Sequence, residues 1–221
     1  MIAADLINRR IPHLNAEDDI TLAKQLMDDL KLSELPVVNS GDLLGFITED
    51  LLFDAAIIKA KVGEYPLIAN SCNVGAQNHY FDVLKVLNRH EVSMVAVHDF
   101  DGKFLGIILM EDLFEEFSNT AFVKSSGAIV VLRSSLNDYS LAEIARITEM
   151  NGSTILGANV IPDIDDPSLI DILLRINHQD ITQITSGLSK SGYQVTATYN
   201  TEDKTFDEKN RYGQLMKFLD L

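Results

Sequence analysis

Three things are scarce in this 221-residue sequence: cysteine, basic residues and long apolar runs. Cys72 is the only cysteine, which excludes an internal disulfide and gives no reason to expect an oxidising compartment. Apolar residues make up 46% of the chain, but no run approaches the roughly 18 residues of a membrane-spanning helix. The start lacks the basic flank and apolar core of a signal peptide. We therefore expect a folded cytoplasmic protein.

Basic residues are outnumbered by acidic ones, 18 against 33, which gives a net charge of −15. The acidic excess is present in both halves of the chain. Binding to nucleic acid or to an anionic membrane surface requires a basic face. The composition therefore predicts no nucleic-acid partner and no membrane partner, although a small basic cluster can still hold a small anion.

A duplicated unit occupies the first half of the sequence. A strand pattern, a tight glycine-containing turn, a second strand and an acidic helix start occur twice, about sixty residues apart. The strand stretches are Leu35-Pro36-Val37-Val38 with Leu44-Gly45-Phe46-Ile47, and Val95-Ala96-Val97-His98 with Leu105-Gly106-Ile107-Ile108. A duplication of this period predicts a two-fold assembly in which each copy covers the apolar face of the other.

Each copy is predicted as a helix, two strands and a helix, with short extended segments in front. In the first copy the extended segments are expected at residues 5–7 and 9–14, the helices at 22–30 and 49–60, and the strands at 35–38 and 43–47. Residues 15–19 form an acidic lead-in that suits a helix N-terminus.

The second half follows a different pattern. It predicts strands at residues 127–132, 153–161, 169–176 and 193–199, with helices at 141–148 and 181–190. Asn151-Gly152 suits a helix stop. This βαββαβ order is the ferredoxin-like arrangement, so the fold class is α/β of the α+β type. A short helix with an apolar side is expected within residues 201–221.

The repeated motif resembles a CBS-domain pair (Bateman module), and the last segment resembles an ACT-like regulatory domain. The implied domains are CBS domain 1 (1–62), CBS domain 2 (63–122), an ACT-like domain (123–200) and a tail (201–221). This module order is similar to that of bacterial proteins of the acetoin-utilisation protein B type. The resemblance implies a non-enzymatic regulatory protein.

In CBS pairs an adenosyl ligand is usually held by backbone groups of the Leu-Pro-Val-Val strand, by a threonine that closes the second strand, and by an aspartate three residues later. The ligand residues that the resemblance implies here are Ile11, Leu35, Pro36, Val37, Thr48, Asp50, Val95, Ala96 and Asp112. Each copy keeps half of the motif, because Leu51 stands at the aspartate position of the first copy and Leu109 at the threonine position of the second. AMP, ADP, ATP or S-adenosylmethionine is the implied regulatory ligand.

Phosphate recognition is the weaker half of this interpretation. Glu49 and Glu111 lie at the helix starts, where a carboxylate repels a nucleotide phosphate. Arg9, Arg10 and His13 are candidate phosphate contacts beside the first copy. We therefore expect an adenosyl ligand of low phosphate charge, or one whose phosphates point towards the two arginines.

Most of these residues also have a structural interpretation. Thr48 can cap the following helix, and Asp112 can serve the helix dipole alone. Pro36 and the valines suit a sheet core, while the two arginines suit a solvated face. Asn137 and Asp138 are candidates for an ACT-like ligand loop, or for helix capping together with Ser140.

No metal site and no catalytic residues are predicted. The five histidines lack metal-ligand spacing, and the aspartates of residues 163–166 suit a turn better than a calcium loop. The leading interpretation is a sensor that forms a homodimer and signals to an unidentified protein partner through its ACT-like domain. A ligand-free scaffold is the main alternative, and an enzyme is disfavoured because no nucleophile, base and metal set converges.

Overall fold

The computed structural model describes residues 1–53, 60–90 and 92–200. The chain forms two compact units, Met1–Phe117 and a second that begins at Ser118. The domain boundaries expected after residues 62, 122 and 200 remain predictions. The helix expected within residues 201–221 lies outside the described residues, as do residues 54–59 of the helix expected at 49–60. Within the described ranges, none of the helices combines the length and apolar character that a membrane span needs.

The first copy of the repeat has the predicted order of helix, hairpin and helix. Its elements are β1 (Leu14–Asn15), α1 (Ile20–Leu30), β2 (Glu34–Asn39), β3 (Asp42–Thr48) and α2 (Glu49–Phe53). β2 pairs with β1 in parallel and with β3 antiparallel. Ser40 and Gly41 both have positive φ, 53° and 85°, which is the type I′ geometry that favours a tight hairpin. The predicted hairpin is therefore confirmed.

The acidic lead-in to α1 is also confirmed. The Asp19 side chain accepts a hydrogen bond from the Thr21 backbone N–H at 2.8 Å, and it caps the helix. Hydrogen bonds from the Thr21 hydroxyl and backbone lower the pKa of Asp19, in that order. The helix then buries Ala23 and Met27, which lie on one face.

The second copy repeats this order about sixty residues further along. Its elements are β4 (Asn73–Gly75), α3 (Tyr80–His90), β5 (Met94–His98), β6 (Phe104–Leu109) and α4 (Met110–Ser118). The strand order β4-β5-β6 matches β1-β2-β3, with the same parallel and antiparallel pairings. The duplication seen in the sequence is thus a duplication of structure.

The segment in front of each copy packs on the other copy. Asn8 pairs with Ile107 of β6, and Ile68 pairs with Phe46 of β3. Residues in front of the first copy belong to the core of the second, and residues 62–65 belong to the core of the first; the buried ones are Ala3, Leu6, Val62 and Tyr65. The two copies are therefore interlocked within one unit.

The extended segment predicted at residues 5–7 is wrong in part, because Ala3–Leu6 form a turn of 3-10 helix. The Asp5 carboxylate accepts a hydrogen bond from the Ile2 N–H at 3.1 Å, which closes this turn. The turn buries Ala3 and Leu6 together, which an extended chain with its alternating side chains would not do.

The second unit contains an antiparallel four-stranded sheet with two helices against it. Its elements are α5 (Ala121–Lys124), β7 (Ala128–Ser135), α6 (Leu141–Met150), β8 (Ile155–Pro162), β9 (Leu169–Ile176), α7 (Thr182–Lys190) and β10 (Gln194–Asn200). The strand order is β10-β7-β9-β8, the order of the ferredoxin-like fold. Alternate residues of β7 and β9 join α6 and α7 in one core. The predicted βαββαβ arrangement is confirmed, and so is the helix stop, where Gly152 has a φ of 72°.

Candidate functional site

The strand residues implied as ligand contacts are buried in the sheets. Leu35, Val37 and Val95 have no exposed surface, and Ala96 is 1% exposed. Pro36 is buried as well. Their side chains therefore form the core of the sheets, which is the structural interpretation given above for Pro36 and the valines. Only backbone groups of these strands remain available to a ligand. The Ala96 N–H already donates to the Cys72 carbonyl at 3.1 Å.

Thr48 and Asp50 lie at the end of β3 and the start of α2. The Thr48 hydroxyl accepts a hydrogen bond from the Leu51 N–H at 3.3 Å, which caps α2 as the structural interpretation expected. Asp50 is exposed on the first turn of the helix. The structure gives no contact between the two side chains among the residues it describes.

Asp112 is tied to the segment in front of the first copy. One of its oxygens, Oδ2, accepts a hydrogen bond from Asn8 Nδ2 at 3.0 Å and a longer one from the Leu109 N–H at 3.4 Å. The Asn8 backbone N–H in turn donates to the Ile107 carbonyl at 2.8 Å. The carboxylate therefore anchors the crossing segment to α4, in addition to its favourable place in the helix dipole.

The basic candidates follow Asn8 directly. Arg9 and Arg10 are exposed in a turn in which the Arg10 N–H donates to Asn8 Oδ1 at 3.0 Å. His13 is also exposed, and its ring lies edge-on to Phe104, 5.5 Å between ring centroids. Ile11 packs against the cores of both copies. The arginines precede β1 of the first copy, and Asn8 connects their turn to α4 of the second copy.

A cleft of about 220 Å³ opens between the two hairpins. Of the implied ligand residues only Ala96 lines it, and the full lining is Asp42, Leu43, Asn70, Asn73, Ala96, Val97, His98, Gly102 and Phe104. Asp42 and Leu43 come from the first copy and the others from the second. A ligand in this cleft would therefore touch both copies at once.

The chemistry of the cleft is apolar and amide-rich. Leu43 and Phe104 are the partly exposed apolar residues of the lining, while Asn70 and Asn73 bring amide donors and acceptors. No lysine or arginine is part of the described lining, and the charge of Asp42 is paired with Lys103 Nζ at 2.8 Å. Such a cleft suits a flat, weakly charged ring system with hydrogen-bonding edges.

His98 adds a ring nitrogen to this cleft. Its Nδ1 lies 2.8 Å from the Asp99 carbonyl oxygen, which can only accept a hydrogen bond. Nδ1 therefore carries the proton in the neutral ring, and Nε2 is the acceptor. The position of His98 in the repeat corresponds to Val38 of the first copy, so the two copies differ chemically here.

Phe104, His98 and the two asparagines were not found from the sequence. Phe104 begins β6 and lies next to the first hairpin because its N–H donates to the Gly41 carbonyl at 2.8 Å. The available signal was an aromatic residue at the start of the strand, but its neighbour across the hairpins cannot be derived from a local pattern.

The candidate loop of the second unit is closed by its own hydrogen bonds. Asn137 and Asp138 are exposed. The Asp138 carboxylate accepts from the Ser135 hydroxyl at 2.7 Å, and Ser140 caps α6 through the Glu143 N–H at 3.3 Å. Helix capping, one of the two alternatives for this loop, is therefore observed at Ser140.

The aspartate-rich turn at residues 163–166 contains an ion pair, in which Asp163 lies 3.0 Å from Arg133.

Cys72 is predicted to be unreactive in the folded protein. Burial raises the pKa of its thiol to about 12, and the Glu34 carboxylate adds to that shift. The thiol is fully buried and its Sγ donates to the Met94 carbonyl at 3.4 Å. Because the thiolate is the reactive form, we expect no alkylation by iodoacetamide at pH 8 without denaturant and complete alkylation in guanidinium chloride. Rapid modification of the native chain, followed by intact-mass spectrometry, would contradict this.

Comparison with known proteins agrees with this architecture. The family model of the CBS domain matches residues 3–57 and 74–119, one match in each copy of the repeat. No curated protein matches the chain.

Solved structures resemble about half of the chain. A CBS domain pair/ACT domain protein from Thermotoga maritima is 15% identical, covers 53% of this chain and 96% of its own, and has a TM-score of 0.49. The CBS-pair protein CBSX2 from Arabidopsis thaliana, solved in complex with AMP, is 18% identical over 52% of this chain and 95% of its own, with a TM-score of 0.46. A hemolysin-like protein containing a CBS domain from Oenococcus oeni is 25% identical over 52% and 89%, with a TM-score of 0.43.

The family match and the observed fold lead to the same conclusion. Both matched segments contain the helix, hairpin and helix of one repeat copy, and both lie almost entirely in the first compact unit. The two repeats of the N-terminal unit are CBS domains, and together they form a CBS-domain pair.

Proposed function

We propose that this chain is a non-enzymatic regulatory protein whose CBS pair binds an adenine-type nucleotide or adenosyl metabolite. The observation that carries the proposal is the cleft between the two hairpins, where Phe104 and the two asparagines surround the strand that contains Ala96. AMP, ADP, ATP and S-adenosylmethionine are the candidate ligands. The purine ring would pack against Phe104 and Leu43, and the amides of Asn70 and Asn73 would bind its polar edge.

The charge of the cleft favours a ligand with few phosphates. Its described lining contains no lysine or arginine, and Glu111 is exposed at the start of α4. The cation that the structure shows beside the cleft, Lys103, is already paired with Asp42, so a triphosphate would find little free positive charge there. Arg9 and Arg10 are exposed cations of the same unit, and the proposal is that phosphates of a bound nucleotide point towards them. We therefore expect adenosine, AMP or S-adenosylmethionine to bind more tightly than ATP.

The mechanism would be a population shift. A ligand that touches Asp42 and Leu43 of one copy and Asn73 and Ala96 of the other favours one relative arrangement of the two hairpins. The altered arrangement would pass to the ACT-like unit and from there to a separate protein partner. We further propose that the protein is a cytoplasmic homodimer and that its module order is that of the bacterial acetoin-utilisation protein B type.

Calorimetric titration of the full chain with adenosine, AMP, ATP and S-adenosylmethionine tests this function. Phe104→Ala removes the stacking surface, and loss of one base–aromatic stack corresponds to a roughly 5- to 150-fold weaker affinity. Leu105→Ala is the matched control, because Leu105 is 46% exposed on the same strand and does not line the cleft. We expect it to bind as the wild type does.

Two outcomes would contradict the proposal. Absence of binding by all four ligands would exclude the sensor function. Tightest binding to ATP, unchanged by Arg9→Ala and Arg10→Ala, would exclude the low-phosphate ligand and the arginine-directed phosphates together.

A ligand-free scaffold is the second candidate, and a specific observation favours it. Both side chains of the split ligand motif have internal partners: Thr48 caps α2, and Asp112 binds Asn8. Ligand-dependent melting separates the two functions, since only a ligand that binds the folded state raises the midpoint. An unchanged midpoint at saturating AMP and S-adenosylmethionine would support the scaffold. Nucleotide hydrolysis by the pure chain would overturn both.

A further inference from the structure

The sheet of the second unit has one face that α6 and α7 do not cover. These helices pack against buried even-numbered residues of β7 and β9. The odd-numbered residues of the two strands point to the opposite side of the sheet, which we call the outer face. Where one face of an antiparallel sheet is solvated, the residues of that face are expected to be polar. The outer face departs from this pattern.

A patch of five side chains makes the middle of the outer face largely apolar. The register places Ala197 of β10, Val131 of β7 and Leu173 of β9 side by side. Tyr199 pairs with Ile129 in the next row. Tyr199 is 59% exposed, and the other four residues are half-buried. We call these five residues the sheet patch. A contiguous surface of this kind marks an interaction site.

α5 covers the β8 end of the outer face. The Phe122 ring packs against Gly157, where a Cβ would overlap it. Gly157 pairs with Arg175, and the Arg175 guanidinium donates a hydrogen bond to the Ser125 carbonyl. Because a helix of four residues is only about 6 Å long, α5 does not extend across the sheet to the edge strand β10. Tyr199 of that strand therefore stays exposed, and a cover for the sheet patch has to come from another segment.

The chain continues from the sheet patch into a segment with a matching apolar stripe. β10 ends at Asn200, directly after Tyr199. The helix predicted beyond it has apolar residues at positions i, i+3, i+4 and i+7, which are Tyr212, Leu215, Met216 and Leu219. A helix this short, with Gly213 inside it, is not stable alone in water. Its stripe therefore needs a surface to dock on.

The dimensions of the stripe and of the sheet patch agree. Neighbouring strands lie about 4.8 Å apart, so the patch is about 10 Å wide from β10 to β9. A helix of residues 212–219 would be about 12 Å long. Residues 201–211 connect the two, and an extended chain of that length spans up to about 36 Å. The stripe can therefore reach the whole patch without any change in the sheet.

We propose that residues 212–219 form a helix that docks its apolar stripe on the sheet patch of the same chain. The four-stranded sheet would then be covered on both faces, by α6 and α7 on one side and by α5 and the tail helix on the other. Docking would also close an apolar surface that otherwise favours association with other chains. The proposal is independent of nucleotide binding.

Disulfide formation between the tail and the sheet tests the proposal in the full chain. Val131→Cys with Leu215→Cys places one thiol in the sheet patch and one in the stripe. Val160→Cys with Leu215→Cys is the matched control, because Val160 is 42% exposed and pairs with Ile172, which faces the core. With oxidised glutathione we expect the first pair to form an intrachain disulfide at least about 10-fold faster, since docking raises the effective concentration of the two thiols. Peptide mapping by mass spectrometry distinguishes this disulfide from the buried Cys72.

Thiol labelling of the single variant Val131→Cys gives an independent measurement. A carboxylate in the stripe disfavours docking, so the addition of Leu215→Glu is expected to accelerate labelling by N-ethylmaleimide at least about 5-fold. Gln214→Glu is the matched control, because it introduces the same charge beside the stripe rather than in it. With this control the introduced thiol should react as slowly as it does with the native tail.

Each result decides the proposal. Equal rates of disulfide formation in the two cysteine pairs would overturn it. A disulfide that joins two chains would also contradict it, because the sheet patch would then belong to an interface with a second copy. Labelling that is equally fast with Leu215→Glu and with Gln214→Glu would show that the stripe does not control access to the patch. An intrachain disulfide, together with labelling that only Leu215→Glu accelerates, would establish the tail as the cover.

Discussion

Gly127→Ala is expected to destabilise the second unit by about 3 kcal/mol or more. Gly127 lies just before β7 with a φ of 137°, which L-residues rarely adopt. A Cβ at this position would overlap the carbonyl oxygen of Ile176, the last residue of β9. Ala128 pairs with Ile176, so relief of the overlap would separate the first ladder pair of the two central strands. Backbone strain and steric overlap therefore act together.

Gly152→Ala is the matched control for this prediction. Gly152 also has a positive φ, 72°, but nothing lies within 4 Å of a Cβ built there. We expect a loss of about 1 kcal/mol, the conformational contribution alone. Hydrogen exchange followed by mass spectrometry measures the opening free energy of β7 and β9 directly. Equal losses of opening free energy in the two variants would show that the overlap with Ile176 does not contribute to the destabilisation.

Phe46→Ala is expected to destabilise both CBS domains together, by about 3–5 kcal/mol. Phe46 belongs to β3 of the first domain, is fully buried, and contributes its ring to the core of the second domain. Its backbone also exchanges two hydrogen bonds with Ile68, at 2.8 and 3.0 Å. Truncation removes contacts at the point where the domains interlock, and this loss is a large part of the about 5–15 kcal/mol that holds a domain folded.

Hydrogen exchange again distinguishes the expected result from a local effect. Phe53→Ala is the control, since Phe53 is 66% exposed and contacts Lys24, so its loss should stay below about 1 kcal/mol. In Phe46→Ala, peptides from α1 and α3 should lose protection by the same amount. Wild-type protection in α3 combined with a loss in α1 would mean that the domains unfold independently.

The local elements of this protein were accessible from the sequence because they depend on periodicity and turn chemistry. The acidic lead-in to α1, the hairpin turn at Ser40 and Gly41, and the βαββαβ element order of the second unit follow from such patterns. The 3-10 turn at Ala3–Leu6 does not follow from a local pattern, since its buried side faces a core formed mainly by residues between Cys72 and Leu113.

The candidate site was accessible only in part. The motif led to the strand of Ala96, and the structure places Ala96 in the cleft. It could not indicate that Asn8 would bind Asp112, because these residues are 104 positions apart and their contact depends on the crossing of the lead-in segments. The motif also does not include Phe104, which lies beside the first hairpin because its N–H donates a hydrogen bond to the Gly41 carbonyl. The site residues themselves remain predictions until the titrations are made.

The interlocking of the two copies has a consequence for how such a chain can arise. Each repeat takes from the other the segment that pairs with its second strand: Asn8 pairs with Ile107, and Ile68 pairs with Phe46. A chain with a single repeat would leave that strand edge and its core uncovered, unless two chains exchanged their leading segments. A chain with a single repeat is therefore expected to fold only as an intertwined dimer, and the presence of two repeats in one chain makes this exchange intramolecular.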